Sequence, residues 1–353
     1  MKNKFMDSKL GKWIKRIVVI LIVLGLVAFG VVKLIQNKTS NVEKSALETL
    51  EALDSYYMEA SMDFYKGEDT RSYTVKISYK DNEDADLFKV SMYDKAVNQE
   101  QIIIKNKDGV YVLTPALNQA YKFNGEWPLN GHKPYLYQSM VETMQGDCDI
   151  SKLDDGYLVT STPEFKNMPS WARQEMKLSK EYKPLWVHIY DNNNDVAVKI
   201  GFNKVEFNPT FSENYFNVED NVKESRENIS TTTSSTIDDL PLYPTNADVD
   251  ATLKEVSNIT VNGETQVMLT YEGKENFTVI ETSVESFEQY TEIEVSGEIV
   301  NIFGVYGYVV SNSNINKLYF TYNGVSYQLW SNSVDVATLI EVASGMEYVE
   351  EVK

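Results

Sequence analysis

The sequence predicts a mainly β, α+β chain behind a single membrane helix, on three observations. An unbroken apolar run, Ile17 to Val32, follows a cluster of cations. Downstream of it, apolar and polar residues alternate at period two in one short run after another, with Asn, Asp and Gly between the runs. Helical spacing is confined to a few segments. The expected architecture is a long antiparallel sheet with a few helices laid on it, then a smaller β-rich domain closed by a C-terminal helix.

The apolar run comes first. With Lys33 able to snorkel it reaches Ile35, and residues 17–35 then make about 28 Å of helix against roughly 30 Å of bilayer hydrocarbon. Lys2, Lys4, Lys9, Lys12, Lys15 and Arg16 precede it, so residues 1–16 are expected to stay in the cytoplasm and the bulk of the chain to lie outside. Trp13 falls at the interface. The competing reading is a cleaved secretory signal, for which Ala28 and Gly30 offer a small-x-small site. The run is longer than such signals use and continues beyond that site, which favours a retained signal anchor. A bacterial lipoprotein anchor needs a Cys just after the run, and the only Cys is Cys148.

Charge narrows the class of partner. The chain carries −19 overall; eight cations against Asp7 give the first 38 residues +7, which leaves −26 on the exported part. Such a surface repels nucleic acid and anionic headgroups, so no nucleic-acid partner is expected and the membrane is held by the helix. One Cys excludes an internal disulfide, and Asp147 and Asp149 beside it disfavour a reactive thiolate.

The exported part reads as two domains, 42–220 and 246–353, separated by a charged and then Ser/Thr-rich linker at 221–245 that Pro241 and Pro244 close. Asn41 to Met62 places Val42, Ala46, Leu50, Leu53, Tyr57 and Ala60 at helical spacing, and an amphipathic helix is expected there. From Tyr73 the period is two: Tyr73, Val75, Ile77 and Tyr79 alternate with polar residues. Further strands are expected at Leu87–Tyr93, Gln99–Lys105, Val110–Thr114, Gln119–Phe123, Gly156–Thr162, Lys177–Ser179, Pro184–Tyr190, Val196–Phe202 and Lys204–Phe207. Pro134 to Met144 interrupts them as a short helix with Leu136, Met140 and Val141 on one side. The second domain offers Gln266–Tyr271, Phe277–Ser283, Glu292–Val300, Tyr306–Ser311, Lys317–Tyr322 and Val325–Trp330, with Asn323-Gly324 as a tight hairpin. Val334 to Met346 closes it as a helix.

Leu113-Thr114-Pro115-Ala116-Leu117-Asn118-Gln119, followed by Lys122-Phe123 and Trp127-Pro128-Leu129-Asn130, resembles the LolA-like family in the version found in spore-forming Gram-positive bacteria. Pro184-Leu185-Trp186-Val187 through Tyr190-Asp191, Val196 to Phe202, Phe207-Asn208-Pro209, Phe211 and Tyr215-Phe216 extend the likeness over Val42 to Val218. The resemblance implies a curved antiparallel half-barrel with covering helices over an apolar cavity. The family's prototype, the outer-membrane lipoprotein carrier, shelters acyl chains in that cavity, and relatives in spore formers include a germination lipoprotein. This chain differs in lacking a lipoprotein Cys and in its long anchor, so a tethered receptor or adaptor is expected in place of a shuttle. The C-terminal part, through Leu269-Thr270-Tyr271-Glu272-Gly273, Phe277-Thr278-Val279-Ile280, the Tyr322 to Tyr327 hairpin and Leu339 to Ser344, resembles small domains of envelope regulators of the same bacteria.

Catalytic and metal chemistry find little support in the residues. His132 and His188 have no Cys partner, and zinc needs three or four converging ligands. Asp191-Asn192-Asn193-Asn194-Asp195 fails as a calcium loop, with Val196 where Gly is needed and Phe202 where the bidentate Glu is needed. No nucleophile elbow, phosphate-cradling loop or dinucleotide fingerprint occurs, and Glu292, Glu294 and Glu298 read as the wet face of a strand. Neither an enzyme nor a cofactor is expected. Aromatics are the remaining candidates: Tyr111, Leu113, Phe123, Trp127, Tyr135, Trp171 and Trp186 either fill a core or line an apolar cavity, with Trp127 and Trp171 nearest an open mouth. The expectation is a single-pass, extracytoplasmic binding protein of the cell membrane. It would hold a lipid, an acyl chain or a partner segment, in sporulation or germination. The alternative is a two-domain envelope-stress regulator contacting a membrane partner.

Overall fold

The computed structural model describes residues 42, 44–83, 85–125, 127, 132–228, 240–245 and 248–347. The expected membrane helix and cytoplasmic tail lie outside them, as do residues 229–239 of the expected Ser/Thr-rich linker. No helix among the described residues is long and apolar enough to cross a membrane.

A short helix, α1 (residues 44–51), opens the described chain. Twelve strands then build the first sheet. Six come in immediate succession: β1 (Ser55–Lys66), β2 (Asp69–Lys80), β3 (Leu87–Asp94), β4 (Gln99–Asn106), β5 (Gly109–Thr114) and β6 (Gln119–Phe123). Helix α2 (Tyr137–Gln145) follows, and β7 (Cys148–Leu153), β8 (Gly156–Ser161), β9 (Trp171–Ser179), β10 (Pro184–Asp191) and β11 (Val196–Phe207) return. Because β1 pairs with both β2 and β11, the two series meet in mid-sheet. Helix α3 (Val218–Asn228) and the two-residue β12 (Tyr243–Pro244) lead to β13 (Ala251–Val261), β14 (Glu264–Gly273), β15 (Phe277–Ser283), β16 (Thr291–Val295), β17 (Glu298–Ile302), β18 (Val305–Ser311), β19 (Asn316–Tyr322) and β20 (Val325–Ser331). Helix α4 (Val336–Ser344) and β21 (Met346–Glu347) end it. Seven of these strands form an antiparallel second sheet, in the order β13-β14-β15-β20-β19-β18-β17. The protein is mainly β, in open sheets.

Four expectations need correction. The helix expected to Met62 ends by Glu51, and residues from Ser55 are strand. Tyr56, Met58, Ala60, Met62 and Phe64 alternate at period two and are all buried, so pairing on both edges overrides the helical spacing that Tyr57 and Ala60 share. Val196 to Phe207 is one strand rather than two, with Asn203 as an extra residue facing the junction of Glu59 and Ala60. Glu292 to Val300 is not one strand. It breaks at Ser296-Gly297, so that β16 joins the first sheet, parallel to β6, while β17 edges the second. Last, the linker expected from 221 begins with α3, which buries Val218, Val222 and Ser225. Asn217 accepts the backbone N–H of Asp220 at 2.9 Å and starts the helix.

Alternation divides the first sheet's apolar residues between two faces. Val112, Tyr121 and Phe123 belong to the inner core with Met58, Val75, Val159, Ile189 and α2. Ile102, Ile104, Tyr111 and Leu113 face outward, where α3 covers them with Val218 and Val222. Both ends of the sheet therefore share one inner core, as a half-barrel requires. The second sheet buries Leu269, Val279, Leu318 and Leu329 under Leu339 and Val342 of α4. Asp335 caps α4 by accepting from Thr338 N at 2.9 Å. At the expected hairpin Asn323 and Gly324 have φ of 49° and 79°, the pair of positive angles that a two-residue turn between twisted strands needs.

Candidate functional site at the seam between the two sheets

The second sheet does not stand apart from the first. Tyr308 of β18 lies 5.6 Å from Tyr121 and 5.8 Å from Phe123, ring centre to ring centre, so β18 meets the inner face near β6. Gln101 and Tyr306 exchange two hydrogen bonds: the Gln101 amide donates to the Tyr306 carbonyl at 3.1 Å and accepts from its N–H at 2.7 Å. Tyr73 donates to the Phe303 carbonyl at 3.2 Å and Tyr322 to Asp94 at 3.1 Å. The Arg71 guanidinium stands 4.7 Å from the Tyr322 ring centre and 5.4 Å from that of Phe303. Lys66 donates to Ser344 Oγ at 2.7 Å and to the Glu341 carbonyl at 3.0 Å. Gly304, at φ +93°, packs so closely on the Tyr73 ring that a Cβ there would come within 2.1 Å of it.

This seam is incompletely filled. An apolar cavity of about 100 Å³ lies between Met62, Phe64, Trp127 and Trp171 of the first half and Ile299 and Tyr306 of the second. Beside it a cleft of about 670 Å³ runs between α4 and the 167–171 loop. Asn167, Met168, Trp171 and Ile340 line both spaces, so cavity and cleft adjoin across these residues. Ligand pockets commonly measure about 300–1,000 Å³, so the cavity alone is too small and the cleft is not. Polar groups gather at one side of the cavity. Burial lowers the pKa of His132, which bonds to Gln174 at 2.8 Å, and that of Lys133, to about 8. Lys166 pairs with Glu298 at 2.7 Å. Tyr135 is pushed up to about 12 by burial and sits 3.2 Å from the Tyr306 hydroxyl.

The seven aromatic and apolar candidates are not brought together. Trp127, Tyr135 and Trp171 line the cavity. Phe123 faces the same side but packs on Tyr308 instead. Tyr111 and Leu113 are corrected: they occupy the alternate positions of β5, on the outer face beneath α3. Trp186 is corrected too, since it lies opposite buried Val187 and Ile189 and stacks on His188 at 4.3 Å on the outer surface. Trp127, expected at an exposed mouth, is only 1% exposed, and its indole N–H has no acceptor among the described residues. The cavity also uses Met62, Phe64, Lys133, Phe165, Met168 and Ile340, which sequence reasoning did not single out. Among the described residues no group of three or more His, Cys, Asp or Glu could hold a metal ion.

No family model matches the chain. It is 26% identical over 332 residues to the sporulation protein YdcC of Bacillus subtilis, a match covering 93% of this chain and 96% of that protein. Among solved structures it is similar to the Pseudomonas aeruginosa MucA/MucB complex (12% identity, 86% of this chain and 98% of that one, TM-score 0.29). A domain described as an outer membrane lipoprotein-sorting protein domain, from Vibrio parahaemolyticus, is similar over 51% of this chain and 97% of its own (14% identity, TM-score 0.29). A protein named for sporulation is thus among the relatives of this chain.

Proposed function

We propose that the chain is a binding protein of the cell envelope that takes an apolar ligand or partner segment at the seam between its two sheets. The observation that carries this is that cavity and cleft adjoin across Met168, Trp171 and Ile340, with both halves supplying walls. The seam is closed by hydrogen bonds and cation–π contacts together with apolar packing of Ile299, Tyr306 and Tyr308 on the first sheet's core. An occupant would enter at the cleft, where that packing is incomplete. The apolar run at 17–35 supports a single-pass anchor with the described domains outside the cell membrane, and residues 36–41 keep them close to it. The name of the Bacillus subtilis relative supports a role in sporulation. The same seam supports the regulatory reading, because an occupant that parts the halves changes the surface shown to a membrane partner.

The test is photolabelling of the full chain in phosphatidylcholine nanodiscs with a twelve-carbon alkyl probe carrying a diazirine. Label is expected on residues 165–171 and on α4, in addition to residues 17–35 buried in the bilayer. Label confined to 17–35 would refute seam binding.

A further inference from the structure

We infer that the edge of β6 accepts an extended segment of a partner protein, one with acidic residues at alternate positions and apolar residues between them, and that β16 is the chain's own stand-in for that segment. The path of the chain is the first sign. Strands β15 and β17 both belong to the second sheet, yet β16 between them leaves it, adds to the end of the first sheet and returns. It pairs parallel with β6, whereas β5 on the other side of β6 is antiparallel. Little side-chain burial holds it there: of its five residues only Val295 is buried, and Glu292, Ile293 and Glu294 are exposed. The rest is backbone pairing, which any extended segment supplies equally well. None of Gln119–Phe123 lines the cavity or the cleft, so this site is separate from both.

The pairing shows what the edge recognises. The Thr291 N–H donates to the Asn118 carbonyl at 3.0 Å, which starts the register. Thr291, Ile293 and Val295 then stand opposite Gln119, Tyr121 and Phe123, and Val295 joins the inner core with Phe123. Glu292 and Glu294 fall on the other face, where Lys122 lies opposite Glu294 and pairs with Glu292 at 3.9 Å. An apolar residue at the Val295 position and carboxylates flanking Lys122 are therefore the features a partner strand needs. Addition to the far edge of β16 is disfavoured, because a short strand carrying charge is a poor template. Within the chain β16 competes for the site, so a partner's apparent affinity is lowered to the fraction of copies in which β6 is uncovered.

The experiment uses the full chain in phosphatidylcholine nanodiscs and, as probe, a fluorescein-labelled peptide of the chain's own residues 289–297, with binding read by anisotropy. Ile293, two residues beyond Thr291, turns its N–H to the same side, so Ile293→Pro removes a bond to β6 and should tighten the probe about tenfold. Hydrogen exchange in α2 and β19 should be unchanged, as the check that both halves stay folded. Lys122→Cys with Glu294→Cys, in a Cys148→Ser chain, sets two cysteines directly opposite each other. Oxidised, this chain should lose probe binding at least tenfold relative to the same chain reduced. Lys122→Gln alone should weaken the probe roughly twofold to fivefold and leave a probe with glutamine in place of Glu292 and Glu294 unaffected, the scale of an exposed ion pair. An equal effect on both probes overturns the acidic pattern. Probe binding that ignores the cross-link overturns the β6 edge, and no gain in a folded Ile293→Pro chain overturns β16 as its occupant. Pairing of two chains on release of β16, seen by native mass spectrometry without probe binding, assigns the edge to a second copy and overturns the partner.

Discussion

Glu281 offers a pH-dependent test of the second half's core. It lies on β15 at 0% exposure, with Tyr327 opposite it on β20. One carboxylate oxygen accepts the Leu242 N–H at 2.9 Å, and the other has no partner among the described residues. Desolvation raises its pKa from the ordinary 4.5 to about 7, the single backbone bond offsetting only part of that cost. An acid whose folded pKa is raised keeps its proton longer when folded than when unfolded, so stability falls as pH climbs from about 4.5 to about 7 and is level above. The loss at full ionisation is about 3 kcal/mol from that shift. Glu281→Gln removes the titration and retains an oxygen for Leu242, but it adds an amide N–H₂ that costs about 1–2 kcal/mol if unpaired. Net stabilisation of about 1–2 kcal/mol is expected at pH 8, and none, or a slight loss, at pH 5. Urea titrations of the full chain in detergent at the two pH values, followed by tryptophan fluorescence, measure the difference. An equal effect of the substitution at pH 5 and pH 8 would refute a raised carboxyl pKa at this position.

Three further outcomes follow from the seam and from the corrected first strand. Arg71→Ala should loosen the seam by about 1–2 kcal/mol through loss of two cation–π contacts, seen as faster hydrogen exchange at Phe303 and Asn323 with α2 unchanged. Gly304→Ala should lower the unfolding midpoint, because its Cβ meets the Tyr73 ring at positive φ; Tyr73→Ala in the same chain should restore part of the loss, whereas a merely exposed turn would show no such rescue. Met58→Ala should cost about 2–5 kcal/mol and Tyr57→Ala much less, as measured by chemical denaturation; if the Tyr57 change costs the more, the helical register is right and the strand wrong.

Much of the fold was legible because its central strands have one wet face. Tyr73 to Ile77 alternates cleanly, and Gly109, Gly156 and Gly324 mark turns at positive φ. Strands that lack this contrast were missed. β7 and β13 sit at sheet edges with both faces largely exposed, so no alternation betrays them. β1 was misread because Leu53, Tyr57 and Ala60 satisfy a helical spacing, and only its partners on either side decide between the two periods. The break within Glu292–Val300 turns on Gly297, where a Cβ would come within 2.7 Å of the Val309 carbonyl, a contact invisible before the strands are paired. α3 carries only Val218 and Val222 as its apolar signal, and without it the outer face of β5 had no cover. That is why Tyr111 and Leu113 were placed toward the cavity. Trp127 and Trp171 were expected near an open mouth because they were read in irregular chain, and with Tyr135 they line the cavity, Trp127 fully buried. Lys133 and Lys166 drew no notice and Glu298 read as a wet strand face, since nothing in the sequence sets β17 beside them.

The claim that an occupant sits at the seam is tested most directly by filling the space where cavity and cleft adjoin. Met168 lines both and packs against both cores, so Met168→Trp fills space on both sides without introducing charge. In nanodiscs with the photoreactive alkyl probe, labelling of α4 and residues 165–171 should fall about tenfold, with labelling of residues 17–35 unchanged. Undiminished seam labelling in that variant would contradict the account.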